Sequence, residues 1–140
     1  MAAMDDPLPL ATSLDRQSKA VAGIAALVSS FNFRAAPSPA DSRLVRELVA
    51  STGFFSDEEV AVAVELVEAY LTYGADSTYL FVFAESAGAL AGYACFGRIP
   101  LTQSSFDLYW IAVRPELQGI GLGRRLIERV ENSVRAAGGT

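Results

Sequence analysis

The chain changes its hydrophobic pattern within one segment, Leu108-Tyr109-Trp110-Ile111-Ala112-Val113-Arg114-Pro115-Glu116-Leu117-Gln118-Gly119-Ile120-Gly121-Leu122-Gly123-Arg124-Arg125-Leu126. Residues 106 to 113 form a short apolar run rich in aromatic and branched side chains, which predicts a buried strand. Pro115 ends the strand because proline has no N–H to donate. Beyond this run the apolar residues Leu122, Leu126, Val130 and Val134 recur at helical intervals. The segment therefore predicts a strand, a glycine loop and a helix that begins inside the glycines.

A glycine loop that opens a helix is suited to bind an anion. The first turn of a helix has N–H groups without partners and carries positive dipole charge, and glycines let a phosphate approach the backbone closely. A tight turn without a ligand is the alternative for an isolated pair of glycines. The dinucleotide fingerprint does not fit, because it needs a small residue where this chain has Arg124 or Leu126, and the spacings of the P-loop and of the kinase loop are absent.

The pattern that does fit is Gln-x-x-Gly-x-Gly, formed by Gln118, Gly121 and Gly123. Ile-Ala-Val-Arg-Pro precedes it and Arg124 follows it. This combination resembles the acetyl-CoA motif of the GNAT N-acetyltransferases. The resemblance covers residues 31 to 140 and leaves residues 1 to 30 as an N-terminal extension, which we expect to form either an amphipathic helix or a disordered tail.

The order of predicted elements agrees with this resemblance. A short strand at residues 31–34 precedes two helices, one starting at Ser38-Pro39-Ala40-Asp41 and one with a capping box of Ser56 and Glu59. A hairpin of residues 79–84 and 89–97 and the strand 106–113 complete three antiparallel strands. We therefore expect an α+β fold of the α/β sandwich type, with a mixed, mainly antiparallel sheet flanked by helices.

The resemblance implies acetyl-CoA as the co-substrate and a direct transfer of its acetyl group to a primary amine of a small molecule or peptide. In this family the pantetheine arm pairs with the backbone of the central strand, and the pyrophosphate meets the N–H groups of the loop. The residues that these roles imply here are Ile111, Ala112 and Val113 for the arm and Gln118, Gly119, Ile120, Gly121, Leu122, Gly123 and Arg124 for the pyrophosphate.

The resemblance also implies a base for the acceptor amine. Some family members carry an acidic residue four positions before the equivalent of Ile111, which makes Asp107 the candidate. Strand alternation is expected to place Asp107 on the face of Tyr109 and Ile111; an aspartate held only by solvent is the equal alternative. Phe54, Phe55, Glu85 and Tyr109 are candidates for the border of the acceptor site, although the core is the expected place of Phe54 and Phe55.

Composition excludes several other classes of function. The net charge of −5 argues against a nucleic-acid binder, and the apolar run at residues 20–28 is too short to span a bilayer. The chain has no histidine, which excludes histidine triads and histidine metal sites, and we expect no metal. The lone Cys95 is expected to be a buried hydrophobe, and a cytoplasmic location is expected.

Charge is also distributed unevenly along the chain. Residues 57 to 85 hold seven acidic side chains and no basic ones, which suits a cationic acceptor or, equally, an ordinary solvated surface. They are Asp57, Glu58, Glu59, Glu65, Glu68, Asp76 and Glu85.

Family domains continue beyond the last predicted helix with a parallel strand, a further helix and a hairpin, whereas this sequence stops at Thr140. We therefore expect a C-terminally incomplete domain with an open central strand. Two functions are compatible with it: an N-acetyltransferase, and a catalytically impaired module that binds acyl-CoA or serves as a subunit. Open strand edges pair readily with other chains, so homo-oligomerisation is expected.

Overall fold

The computed structural model describes residues 31–99 and 105–138. The expected properties of residues 1–30 lie outside these ranges. The elements, in chain order, are β1 Asn32–Arg34, α1 Asp41–Ser51, α2 Asp57–Tyr73, β2 Tyr79–Ser86, β3 Ala89–Arg98, β4 Phe106–Val113 and α3 Leu122–Ala136, with 3-10 turns at Gly74–Ser77 and Pro115–Leu117. This is the predicted order, and the α+β fold is confirmed.

The four strands form one sheet in the order β1-β2-β3-β4, and all described pairings are antiparallel. Within the described residues, β3 is the one strand that pairs with β4. The expected parallel neighbour of β4 is therefore not part of the described sheet, and the second edge of β4 faces no described strand.

The helices cover both faces of the sheet and bury two apolar clusters. Helices α1 and α2 pack on one face, where Leu48, Val67, Phe83 and Tyr93 are fully buried. Helix α3 packs on the other face through Leu122 and Leu126, which contact the cluster that contains Ala94 and Phe96. Each fully buried Leu or Phe side chain contributes about 1.5–3 kcal/mol through removal of apolar surface from water, so the sandwich depends on both layers.

The start of α2 is as predicted, whereas the start of α1 is not. Ser56 accepts a hydrogen bond from the Glu59 N–H at 3.1 Å, and the Glu59 carboxylate accepts from the Ser56 N–H at 2.9 Å. In α1 the Asp41 carboxylate accepts from the Ser38 N–H at 2.7 Å, but the Asp41 N–H donates to the Ser38 carbonyl instead of its hydroxyl. The serine cap is thus half-formed, because the chain enters α1 through an extra tight turn.

None of the helices within the described ranges combines the length and the apolar character needed to cross a membrane.

Candidate functional site

The glycine loop lies between the end of β4 and the first turn of α3. Gly119 and Gly121 have φ values of 86° and 91°, in the left-handed region that glycine adopts without a steric cost. A Cβ atom added at either position would have no heavy atom within 4 Å, so both residues face open space. Gly121 is the N-cap of α3, as the sequence predicts. The loop therefore presents bare backbone to an open space at a helix N-terminus.

The N–H groups of this loop are available to an incoming ligand. The described backbone hydrogen bonds include none donated by residues 119–124; the first helical one runs from the Arg125 N–H to the Gly121 carbonyl at 3.1 Å. Helix α3 has 15 residues and thus a full macrodipole behind these groups. The arrangement fits an anion such as a pyrophosphate.

Two side chains fix the loop to the end of the sheet. The Arg114 guanidinium Nε donates to the Leu90 carbonyl at 2.6 Å, and the Arg114 N–H donates to the Ala91 carbonyl at 2.9 Å. Gln118 Nε2 donates to the Val113 carbonyl at 3.1 Å. Because its amide group is bound to the protein backbone, Gln118 positions the loop from within. The family motif suggested that Gln118 contacts the ligand, whereas in the structure its side chain binds the Val113 carbonyl.

The other side chains of the predicted loop site differ in their exposure. Leu122 is buried against the α3 face of the sheet and Ile120 packs beside it, so these two residues offer a ligand their backbone N–H groups. Arg124 is exposed and lies in the first turn of α3. Gly123 is helical, and an added Cβ there would lie 4.0 Å from Val113 Cγ2.

The predicted arm-binding residues form the last part of β4. Ala112 belongs to the buried cluster under α1 and α2, whereas Ile111 and Val113 pack toward α3. Their side chains are thus committed to the two cores. Their backbone groups on the side away from β3 face no described strand, which leaves them able to pair with an extended ligand.

A β-bulge changes the faces of β4 and corrects one prediction. Cys95 pairs with Trp110 and Phe96 pairs with Leu108, so Tyr109 is the extra residue between them. Tyr109 contacts Tyr79, and Trp110 packs on the α1–α2 cluster, so two consecutive residues share one face. Asp107 and Tyr109 are on the same face, as predicted, but Ile111 is on the other. The prediction assumed that side chains alternate between the two faces along the whole of β4, whereas the extra residue at the bulge puts Tyr109 and Trp110 on the same face.

The face that carries Asp107 has an aromatic surface. Asp107 pairs with Gly97, which pairs in turn with Tyr79, and residues directly opposite one another project from the same face. Partial burial raises the pKa of Tyr109, and the Asp107 carboxylate adds to that shift. Asp107 itself is exposed. The site therefore combines a solvent-accessible carboxylate with a phenol that stays protonated.

The remaining acceptor candidates separate into two groups. Phe55 is half-buried and packs edge-to-face against Trp110 with ring centroids 5.3 Å apart, next to the aromatic surface. Phe54 is 76% exposed, so its assignment to the core was wrong. Glu85 lies at the far end of β2, pairs with β1 and binds Arg34 Nε at 2.7 Å. The structure does not bring Glu85 together with Asp107.

The acidic segment is mostly a solvated surface with a local structural role. Asp57, Glu58 and Glu59 lie in the first turn of α2, where negative charge complements the helix dipole. Glu65 and Glu68 are exposed along the same helix. Cys95 is fully buried, and burial raises the pKa of its thiol to about 12, so it is not a nucleophile at neutral pH.

Sequence reasoning missed an ionic cluster behind β1. Arg34 donates to both carboxylate oxygens of Asp41, at 2.6 and 2.8 Å, and to Glu85. Asp41 is fully buried. The only local signal was the acid that ends the predicted helix start Ser38-Pro39-Ala40-Asp41, which gave no indication of a partner on a strand. This cluster joins β1, β2 and α1 and lies away from the glycine loop.

The sequence profile described as the Acetyltransferase (GNAT) family matches residues 43–140, and it spans the aromatic face of β4, the glycine loop and α3. The chain belongs to the GNAT acetyltransferase family. A comparison with curated proteins found no match.

Solved structures agree with this assignment. A GNAT-family protein from Desulfovibrio desulfuricans is 50% identical, with a TM-score of 0.77 over 78% of this chain and 69% of that one. A GNAT acetyltransferase from Brucella melitensis, solved with acetyl-CoA, is 24% identical, with a TM-score of 0.60 over 78% and 71% of the two chains.

A diaminobutyrate acetyltransferase from Paenibacillus lautus, solved with diaminobutyric acid and coenzyme A, is 20% identical. Its TM-score is 0.57 over 73% of this chain and 57% of that one. At these identities the last two structures bear on the fold alone.

Proposed function

We propose that this GNAT chain transfers the acetyl group of acetyl-CoA to a primary amine of a small molecule or peptide. The observation that carries the proposal is the glycine loop, in which Gly119 and Gly121 face open space at the N-terminus of α3. A phosphate bound there would accept hydrogen bonds from N–H groups that no described backbone carbonyl uses. The match of the GNAT family profile to residues 43–140 supports the same assignment.

The residues present fit acetyl-CoA at two places. The backbone of residues 119–124 would hold the pyrophosphate, with Arg124 adding an exposed positive charge. The backbone of Ile111–Val113 would pair with the extended arm along the edge of β4. When bound, acetyl-CoA supplies a thioester whose acetyl carbon moves to the amine nitrogen while the sulfur leaves as a thiolate. A backbone N–H of β4 would stabilise the charge that develops on the carbonyl oxygen.

The acceptor amine must lose a proton for this reaction. An amine with the ordinary lysine pKa of about 10.4 is neutral in fewer than about one molecule in a thousand at pH 7, so a base is required. Asp107 is exposed, lies on the aromatic face and is the acid that the family pattern indicates. We assign it to accept the amine proton, directly or through one water molecule.

Titration calorimetry with acetyl-CoA, followed by an assay for free CoA over a panel of amines, tests this proposal. Asp107→Asn is expected to lower kcat/KM by about 10²-fold or more, as for the loss of a general base, and to leave acetyl-CoA affinity unchanged. Glu68→Gln, an exposed acid on α2, is the matched control and is expected to keep full activity.

The alternative outcomes are informative. Tight acetyl-CoA binding without turnover of any amine would contradict the catalytic assignment and favour an acyl-CoA-binding module. An Asp107→Asn variant that acetylates as fast as the original chain would show that another group, or solvent, takes the proton.

A further inference from the structure

The surface beside Asp107 includes an exposed aromatic ring, that of Tyr109, which a site for amines in general does not require. The ring of Tyr109 is partly exposed, with 39% of the residue accessible. It is the bulged residue of β4, so its side chain occupies the α1–α2 face without a direct partner across β3. A partly exposed tyrosine on a sheet presents a flat apolar surface to solvent.

Two contacts fix the orientation of this ring. A Cβ atom added at Gly97 would lie 3.0 Å from Tyr109 Cε2 and 3.4 Å from its hydroxyl oxygen, so the ring rests directly on the glycine backbone. Tyr79 meets it edge-to-face, with ring centroids 5.9 Å apart and an interplanar angle of 78°. The ring is thus preorganised, and a ligand that stacks on it does not have to order it first.

The ring also lies beside a negative charge. Tyr79, Gly97 and Asp107 form a row across β2, β3 and β4, and the Tyr109 ring lies above the glycine in the middle of that row. Phe55 and Trp110 extend the aromatic surface toward the middle of β4. An acceptor that matches this surface carries a positively charged amine for the carboxylate and a planar apolar group for the ring.

We propose that the acceptor is a primary amine carried on a planar aromatic group, and that Tyr109, resting on Gly97 beside Asp107, is the specificity-determining residue on which that group stacks. This inference rests on the proposed amine acetylation. One aromatic stacking contact corresponds to a preference of roughly threefold to tenfold over an apolar group of the same size that is not planar.

A matched pair of amines isolates stacking from hydrophobicity. The probes are 2-phenylethylamine and 2-cyclohexylethylamine, which share a carbon framework and differ in planarity. With the full chain and acetyl-CoA, kcat/KM for the aromatic amine is expected to exceed that for the cyclohexyl amine by roughly threefold to tenfold. Tyr109→Phe is expected to keep this ratio, and Tyr109→Leu to reduce it to about one.

Leu108→Ala is the control variant. Leu108 is adjacent in sequence and also exposed, but it pairs with Phe96 and lies on the α3 face. The ratio is expected to stay unchanged in this variant.

Trp110 is the only tryptophan in the sequence, so its fluorescence reports binding of each amine independently of turnover. Equal turnover of both amines, or a ratio that persists in Tyr109→Leu, would overturn the stacking role and leave amine acetylation intact. Selective, Tyr109-dependent binding of the aromatic amine without acetylation would keep the stacking role and reject the proposed function. No binding of either amine would overturn the stacking role.

Discussion

Gly121 has two properties that one small substitution affects together. Its φ of 91° disfavours any L side chain, and the space in front of it is open. Gly121→Ala is therefore expected to cost about 1–2 kcal/mol through backbone strain and to lower acetyl-CoA affinity, because the methyl group occupies space assigned to a phosphate. Chemical denaturation and calorimetry measure the two effects.

Gly88 supplies the matched control for this prediction. It has a φ of 78° and equally open surroundings, but it lies in the turn between β2 and β3. Gly88→Ala is expected to lose similar stability and to bind acetyl-CoA normally. If both variants bound acetyl-CoA equally well, the phosphate role of the loop would be wrong.

Asp41 connects a residue-level interaction to the stability of the fold. Burial alone would raise the pKa of its carboxyl, but the hydrogen bonds from Arg34 and from the Ser38 N–H, with the charge of Arg34, hold the pKa below its ordinary value of 3.8. A carboxyl with a depressed pKa stabilises the folded state above its unfolded pKa, and this contribution is lost as pH falls through the folded pKa. The loss is therefore expected below about pH 4.

Urea unfolding at several pH values tests this role. Asp41→Asn is expected to lower the free energy of unfolding by about 2–4 kcal/mol at pH 7, since Arg34 then keeps only the partly exposed Glu85 as a charged partner, and to flatten the pH dependence below about pH 4. Glu47→Gln removes an exposed ion pair with Arg43 and is expected to change neither quantity measurably. Equal stability of Asp41→Asn and the original chain would contradict the prediction.

At the level of elements, the sequence predicted what depends on neighbours in the chain. The capping box of Ser56 and Glu59, the start of α3 at Gly121 and the limits of β4 all follow from residues a few positions apart. The conformation of the glycine loop was predictable for the same reason, because its residues belong to one contiguous segment. A helix start and a glycine loop depend on residues close together in the chain, so capping residues, glycines and the spacing of apolar residues indicate them in the sequence.

The features that sequence did not predict depend on pairing between distant segments. The bulge at Tyr109 arises from the register of β4 on β3, and it moved Ile111 to the face opposite Asp107. The contact between Arg34 and Glu85 joins residues 51 positions apart. Glu85 read alone suggested an acceptor contact, but its partner on β1 places it at the other end of the sheet.

At the scale of the whole molecule, the described sheet has two edges, the outer side of the three-residue β1 and the second edge of the eight-residue β4, and the longer of them is that of β4. It faces no described strand, and Leu108 and Tyr109 are 46% and 39% exposed beside it. We expect two copies to pair through residues 106–113, because an open apolar edge is a template for strand addition. The same backbone groups of residues 111–113 are assigned to acetyl-CoA, so the two events are coupled by mass action.

Light scattering with and without acetyl-CoA measures this coupling, and the direction of the response identifies the geometry. Dissociation of the dimer by acetyl-CoA would show that the partner strand covers the ligand-binding backbone, whereas stabilisation would show that the partner completes the site. Leu108→Lys places a charge at the edge and is expected to weaken association at least several-fold, as edge lysines do in natural sheets, without changing the fold. A chain that stays monomeric at high concentration, and whose scattering is unaffected by Leu108→Lys, would refute pairing through β4.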